Sequence, residues 1–298
     1  MRAQIGIKTP PQDVDWPTLD AAWLQIGRHE VFTSAWINDH LVDPREPRGG
    51  RGLEALTVLA ALAHHVPGKA LGIAVLSATF RHPAVLAKQL TVLDHLTGGQ
   101  LIVGLGAGWH EAEHVPFGIP FPSIVERFDR FESTVSVLRA LFSDEARQLP
   151  GVTRADPHYP LARATNEPGT LSPGGPQLWL GGQRKRGLDL AARYAHGWVT
   201  PNLLPDGRTD RLPYLIEHRQ KLLVRMAEIG RDPAGFALGM QVPTGATEAD
   251  RADGLRLALD SVDAGATHII LSMPARLGAD GVDAVAREMA EPLRQALG

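Results

Sequence analysis

Apolar and β-branched residues come in short runs along this chain, and longer stretches of helical periodicity separate those runs about eight times. The spacing predicts strands over 3–8, 31–37, 70–76, 100–106, 177–181, 197–200, 235–241 and 267–272. Several of them are apolar at nearly every position, the pattern of parallel strands covered on both faces. The segment at 197–200 is the weakest and reads equally as a loop.

The helices between them carry start and stop signals. Asp15 caps a helix with Pro17 in its first turn, "LEALTVLAALAHHV" stops before Pro67-Gly68, and Pro83 opens a helix that ends before Gly98-Gly99. Ser123 and Glu126 have the spacing of a capping box ahead of Phe128, Phe131, Val135 and Leu138 on one face. Asp210 and Gly230 bracket a helix over 211–229, and two more are expected over 245–263 and 281–297. Eight strand-helix pairs favour a closed (β/α)8 TIM barrel over an open sheet, as one domain over residues 1–298. Residues 143–176, rich in Pro and Gly without a sustained period, read as an irregular excursion on that barrel.

Composition narrows the function without choosing it. With 30 Lys plus Arg against 33 Asp plus Glu and a net charge of -3, no general attraction to nucleic acid or anionic membranes is expected. The absence of cysteine excludes disulfides, thiolate metal sites and cysteine nucleophiles. The N-terminus turns polar too early for a secretory signal and no apolar run is long enough to span a bilayer, so a cytoplasmic location is the expectation.

Candidate chemistry gathers after the strands. In "GLGAGWHEAEH", His110, Glu111 and His114 have the spacing of a zinc-binding H-E-x-x-H helix, but Pro116 leaves room for little more than one turn. No third ligand has a recognisable spacing, and no metal is expected. Gly104, Gly106 and Gly108 end strand four, where they either bring the backbone close to a ligand or pack strand against helix. Asn38-Asp39-His40 ends strand two; the imidazole suits proton transfer near neutrality, and a neighbouring carboxylate can orient it. An Asp cap with a packed His accounts for the same residues. Gly181-Gly182 before a helix is a possible anion cradle, and Arg81 is either structural or a ligand contact. Trp36, Trp109, Trp179 and Trp198 fit a bulky pocket or the core.

Together, "SAWINDHL" (34–41), the stretch from "RHPAVLAKQL" to "ERFDRFE" (81–132) and "LWLGGQRKRGLDLAARYAHGW" (178–198) resemble the luciferase-like monooxygenase superfamily of flavin- or deazaflavin-dependent (β/α)8 oxidoreductases. The resemblance covers strands two to six well and the last hundred residues weakly. Within the superfamily, "GAGWHEAEH" followed by "FGIPFP" and "ERFDR" is similar to the F420-dependent subgroup. That resemblance implies hydride transfer between the C5 of coenzyme F420 and a small organic substrate, with no zinc role for the histidines. It places Asp39 and His40 beside the deazaflavin, with His40 moving the proton. Gly106, Ala107 and Gly108 correspond to the cofactor loop of strand four, and Gly181 and Gly182 to the loop near the phosphate-bearing tail. It also implies a non-proline cis peptide between Ala74 and Val75, bulging behind the ring. Gln12 and Trp109 stand where a sugar-phosphate dehydrogenase of the family has acids, so they point to a different, less polar substrate pocket. Relatives are often homodimers. The rival readings are an FMN-dependent monooxygenase, a cofactor-binding barrel without catalysis, and a metal hydrolase.

Overall fold

Residues 3–46, 50–204 and 207–298 are described by a computed structural model. Eight parallel strands close into a barrel: β1 (Gln4–Lys8), β2 (Ser34–Ile37), β3 (Ala70–Ser77), β4 (Leu101–Gly106), β7 (Gln177–Leu180), β8 (Gly197–Val199), β9 (Ala237–Pro243) and β10 (His268–Ser272), with β10 pairing back onto β1. The helices that pack outside it are α1 (Trp16–Arg28), α2 (Ala55–Leu62), α3 (Pro83–Leu96), α4 (Ile124–Leu141), α5 (Lys185–Tyr194), α6 (Arg211–Glu228), α7 (Glu248–Asp263), α8 (Gly278–Val285) and α9 (Glu291–Ala296). The short β8 is a strand and not a loop, because it pairs with β7 on one side and with β9 on the other.

Alternation along the strands divides the core in two. Ile7, Ala35, Ile73, Val103, Leu180, Met240 and Ile269 face the helices and join the main core. Trp36, Ala74, Ile102, Trp179, Val199, Ala237 and Ile270 form a separate inner cluster. The Trp36 and Trp179 rings lie 5.4 Å apart and fill the middle of the barrel. Glycines make the room: a Cβ at Gly6 or Gly72 would fall within 2.5 Å of Trp36, and one at Gly197 or Gly239 within 2.8 Å of Trp179. Trp198 points the other way and stacks on His218 of α6 at 5.5 Å. Two of the four tryptophans read as pocket candidates are thus barrel filling, and a third is core outside the barrel.

Three expectations change. The segment 143–176 is not wholly irregular, since β5 (Val152–Arg154) and β6 (Leu161–Ala164) form an antiparallel ribbon. It is tied to α3 by Asp94, whose carboxylate accepts from Ser172 N and Oγ at 2.9 and 2.7 Å. The helix expected over 281–297 is interrupted by a π-turn at Ala286–Ala290, next to Pro292. Proline has no N–H to donate and crowds the carbonyl four residues back, which a wider turn relieves. Ser123 caps α4 through Glu126 N at 3.3 Å, but the Glu126 carboxylate turns to Arg130 at 2.7 Å, so the capping box is only half made. Thr247 and Asp250 make a complete one at α7.

Candidate active site

Barrel chemistry is built at the C-terminal ends of the strands, and there the candidate residues meet. Asp39, just past β2, is buried and does not face the ring of its neighbour His40. Its oxygens accept from Arg81 Nη1 and Nη2 at 2.6 and 2.9 Å and from Ser77 N at 3.0 Å. Arg81 reaches on to Glu54, which also caps α2. Burial opposes the Arg81 charge, but the Asp39 and Glu54 carboxylates outweigh it and raise the guanidinium pKa. Arg81 is therefore a fixed cation that ties β2 and β3 to α2.

The carboxylate that orients His40 is Glu113. One Glu113 oxygen lies 2.6 Å from His40 Nδ1, and the other accepts from Leu41 N at 2.6 Å. Glu113 is completely enclosed, whereas the His40 side chain keeps 17% exposure. Because Nδ1 is committed to the carboxylate, Nε2 is the nitrogen left for proton exchange. Sequence reasoning passed over Glu113: it sits inside the H-E-x-x-H spacing, and its only hint was a second acid two residues after Glu111. His110, Glu111 and His114 lie across two consecutive 3-10 turns instead of one helix face. His114 is used up by the His110 carbonyl and the Thr79 hydroxyl, at 2.8 and 2.7 Å. Among the described residues no cluster of His, Asp and Glu is arranged to hold a metal ion.

Gln12 lies in the loop just after β1 and is buried. Its Nε2 donates to the His40 carbonyl at 2.8 Å, so it supports His40 from behind. Its Oε1, like Asn38 Oδ1, is buried with no partner among the described residues. Trp109 is 58% exposed and meets the His40 ring edge to face at 6.0 Å.

The glycines divide by what surrounds them. The Ala74–Val75 peptide is cis, and the β3–β4 register shifts there. A Cβ at Gly106 or Gly181 would come no closer than 3.2 Å to Val75, so these two face a common space beside it. Gly108 has φ +76° and is held over the Ser77 and Thr79 hydroxyls, leaving no room for a Cβ; Gly182, at φ +126°, packs on Gly187 of α5. These two shape the backbone, while Ala107 is half-buried against the core. Past Gly182 a cleft of about 220 Å³ opens between this loop and α6, lined by Gln183, Arg184, Arg208, Glu217 and Lys221. Bonds from Lys221 and Arg208 hold the Glu217 carboxyl down at about 2.

Lys8, which sequence reasoning also missed, ends β1 and is fully buried. Its amine donates to Gln241 Oε1, and Gln241 is itself held by Thr200. Burial, with help from Arg211 and Arg45, lowers the amine pKa to about 7. A larger cavity, about 400 Å³, opens at the opposite end of the barrel between Phe32, Lys69, Gln100 and His268, away from the face where barrel chemistry is built.

Residues 30–295 match the model of the luciferase-like monooxygenase family. Over 183 residues the chain is 30% identical to a phthiodiolone/phenolphthiodiolone dimycocerosates ketoreductase of Mycobacterium tuberculosis, covering 56% of this chain and 46% of that protein. It is 30% identical over 203 residues to an F420-dependent glucose-6-phosphate dehydrogenase of Nakamurella multipartita, covering 66% of this chain and 57% of that one. The chain thus spans about half the length of the curated relatives it matches. An F420-dependent secondary alcohol dehydrogenase in complex with an F420-acetone adduct superposes with a TM-score of 0.76 at 18% identity, covering 98% and 99% of the two chains. A riboflavin lyase with modified FMN superposes almost equally well, at 0.75 and 14% identity over 99% and 92%. The fold is therefore common to both cofactor types.

Proposed function

The chain belongs to the luciferase-like monooxygenase family, and from that premise we propose that it is an F420-dependent oxidoreductase moving a hydride between deazaflavin C5 and an organic substrate. The observation that carries the reading is the His40–Glu113 pair beside the space at Gly106 and Gly181. The two are joined through Asp39, which binds Ser77 N, and through Ser77, which pairs in register with Gly106. The residues that would hold the cofactor are Asp39, Ala74, Val75, Gly106, Ala107 and Gly108, with Gly181 and Gly182 toward its anionic tail. Arg184, at the start of α5 in the cleft past Gly182, suits such a tail, the cations across from it being bonded to Glu217.

When bound, the deazaflavin supplies the two-electron chemistry. The protein's part is the proton. Glu113 keeps Nδ1 of His40 as the donor to its carboxylate, and Nε2 accepts the hydroxyl proton as hydride leaves an alcohol carbon, or returns it to a carbonyl oxygen in reverse. A carbon at the alcohol or ketone level is the proposed centre because similar proteins are named for a ketoreductase and for a secondary alcohol dehydrogenase. Gln12 supports His40 through its carbonyl, and Trp109, which meets the His40 ring, borders the substrate side with a less polar group than an acid.

Spectroscopic titration of the protein with F420 and with FMN tests the cofactor. F420 is expected to bind at least as tightly as FMN. Binding about tenfold weaker than FMN, a difference of ~1.4 kcal/mol, would overturn the assignment in favour of the FMN-dependent branch. Binding of F420 with no turnover of alcohols or ketones would instead leave a barrel that holds a cofactor without using it.

A further inference from the structure

The cavity at the N-terminal end of the barrel takes no part in the proposed reaction, and strand alternation builds it. Ser34 and His268 stand two positions before Trp36 and Ile270 of the inner cluster, Gln4 and Ala70 two before the glycines that lie against Trp36, and Ile102 belongs to that cluster itself. Residues two apart on a strand share a face, so all of these point inward. A barrel interior is ordinarily filled by layers of side chains; here the lowest layer stops short and leaves a space of about 400 Å³. Small-molecule sites run from roughly 300 to 1,000 Å³, and this one falls among them.

Its best-fixed polar groups have hydrogens left to donate. Ser34 Oγ accepts from Trp36 Nε1 at 2.8 Å, which leaves its own hydroxyl hydrogen. Lys69 Nζ spends two hydrogens on the His29 and Phe32 carbonyls, at 2.9 and 2.8 Å, and keeps a third. His268 is neutral near pH 7, because burial lowers its pKa to about 4. Its Nδ1 lies 2.9 Å from Thr267 Oγ1, which already accepts from Leu238 N. The other acceptor open to that hydroxyl, the Leu238 carbonyl, is further away at 3.3 Å and is served by Thr267 N. The Thr267 hydrogen therefore goes to Nδ1, and the ring hydrogen sits on Nε2, which has no partner among the described residues. Phe32, Ala70 and Ile102 supply apolar wall. Glu30, exposed at the rim, is the one acid of the lining and offsets part of the Lys69 charge, so the site suits one negative charge better than two.

We infer that this cavity is a second binding site, at the opposite end of the barrel from His40, for a monocarboxylate with a compact apolar body. The carboxylate takes its hydrogen bonds from Lys69, His268 and Ser34, and the body lies against Phe32 and Ile102. Hydrogen bonds to a charged acceptor are the strong ones, and donors already held by Trp36, by two carbonyls and by Thr267 need little ordering to make them. The site is independent of which cofactor the other end of the barrel holds.

Benzoate is the probe, titrated into the full chain by calorimetry and by NMR of isotope-labelled histidines. It should bind saturably and shift the His268 signals, identified by their loss in His268→Leu, while those of His40 stay in place. Benzamide has the same shape without the charge and should bind at least about tenfold more weakly, the loss expected when a charged acceptor becomes a neutral one. His268→Leu should weaken benzoate by a similar factor, and Ala70→Leu, which fills the cavity without removing a polar group, should abolish binding. The comparison of benzoate with benzamide on the wild-type protein needs no variant and decides the matter even if these replacements disturb the barrel. No saturable binding at millimolar benzoate, equal affinity for benzamide, shifts confined to His40, or undiminished affinity in a folded His268→Leu protein would each overturn the proposal.

Discussion

Glu113 uses one oxygen for the His40 ring and the other for the Leu41 amide, so the imidazole and the backbone that carries it are fixed by one buried carboxylate. Replacing His40 by Ala should leave the fold and cofactor affinity intact, at a stability cost of ~1–3 kcal/mol for the Glu113 oxygen left without its donor, and lower the single-turnover rate ~10²- to 10⁴-fold, the usual scale of acid-base assistance. Glu113→Gln separates orientation from proton transfer. A glutamine can still accept from Leu41 N, but its amide would donate to Nδ1 and shift the ring proton to Nε2, the wrong tautomer for accepting the substrate's proton. Alcohol oxidation should then fall while the ring stays in place. Single-turnover kinetics unchanged in both variants would remove His40 from proton transfer. Asp39→Asn acts differently, because it unbalances Arg81 and loosens the tie between β2, β3 and α2.

At the scale of elements, the eight strands, most helix starts and the positions of Asp39, His40, Gly106 and Gly181 were legible from period and punctuation alone. What the pattern hides is side-chain direction across the closed barrel. Strand β9 begins two residues later than its apolar run suggests, and the ribbon of β5 and β6 has too few residues to show a period. Glu113 and Lys8 were missed because no local signal says that a charged residue will be enclosed; only closure of the barrel and the fold of the β4–α4 segment decide it. The glycines in mid-strand have a similar explanation, since their partners Trp36 and Trp179 are distant in sequence. Gly72→Ala tests that packing. Its Cβ would sit 2.1 Å from the Trp36 ring, which is enclosed on all sides and cannot move away. The variant should lose ~1–3 kcal/mol by urea unfolding, the usual cost of overpacking, and Trp36→Leu in the same chain should restore part of it. A Gly72→Ala protein as stable as the wild type would show that the two rings do not jointly fill the barrel.

The whole molecule has a core that is apolar outside the barrel, aromatic in its middle and charged at its C-terminal end, where Lys8 is enclosed with Gln241 as its hydrogen-bond acceptor. That arrangement links stability to pH. In the unfolded chain the Lys8 amine has its ordinary value of 10.5, and in the fold burial first, then Arg211 and Arg45, brings it to about 7. Between these values the unfolded state binds more protons than the folded one, so the contribution of Lys8 to stability rises with pH, by up to ~1.4 kcal/mol per pH unit. Below about 7 both states are protonated and the fold bears the full cost of the enclosed charge; above 10.5 both are neutral and the effect ends. Lys8→Met removes the titrating group and, independently of pH, leaves Gln241 Oε1 without its donor, a constant cost of ~1–3 kcal/mol. The informative quantity is therefore the slope of the difference. Urea unfolding of the two proteins at pH 7, 8, 9 and 10 should show the wild type gaining on Lys8→Met as pH rises. Parallel curves would mean that Lys8 keeps an ordinary pKa in the fold, through water or an anion that reaches the mouth of the barrel and compensates its charge.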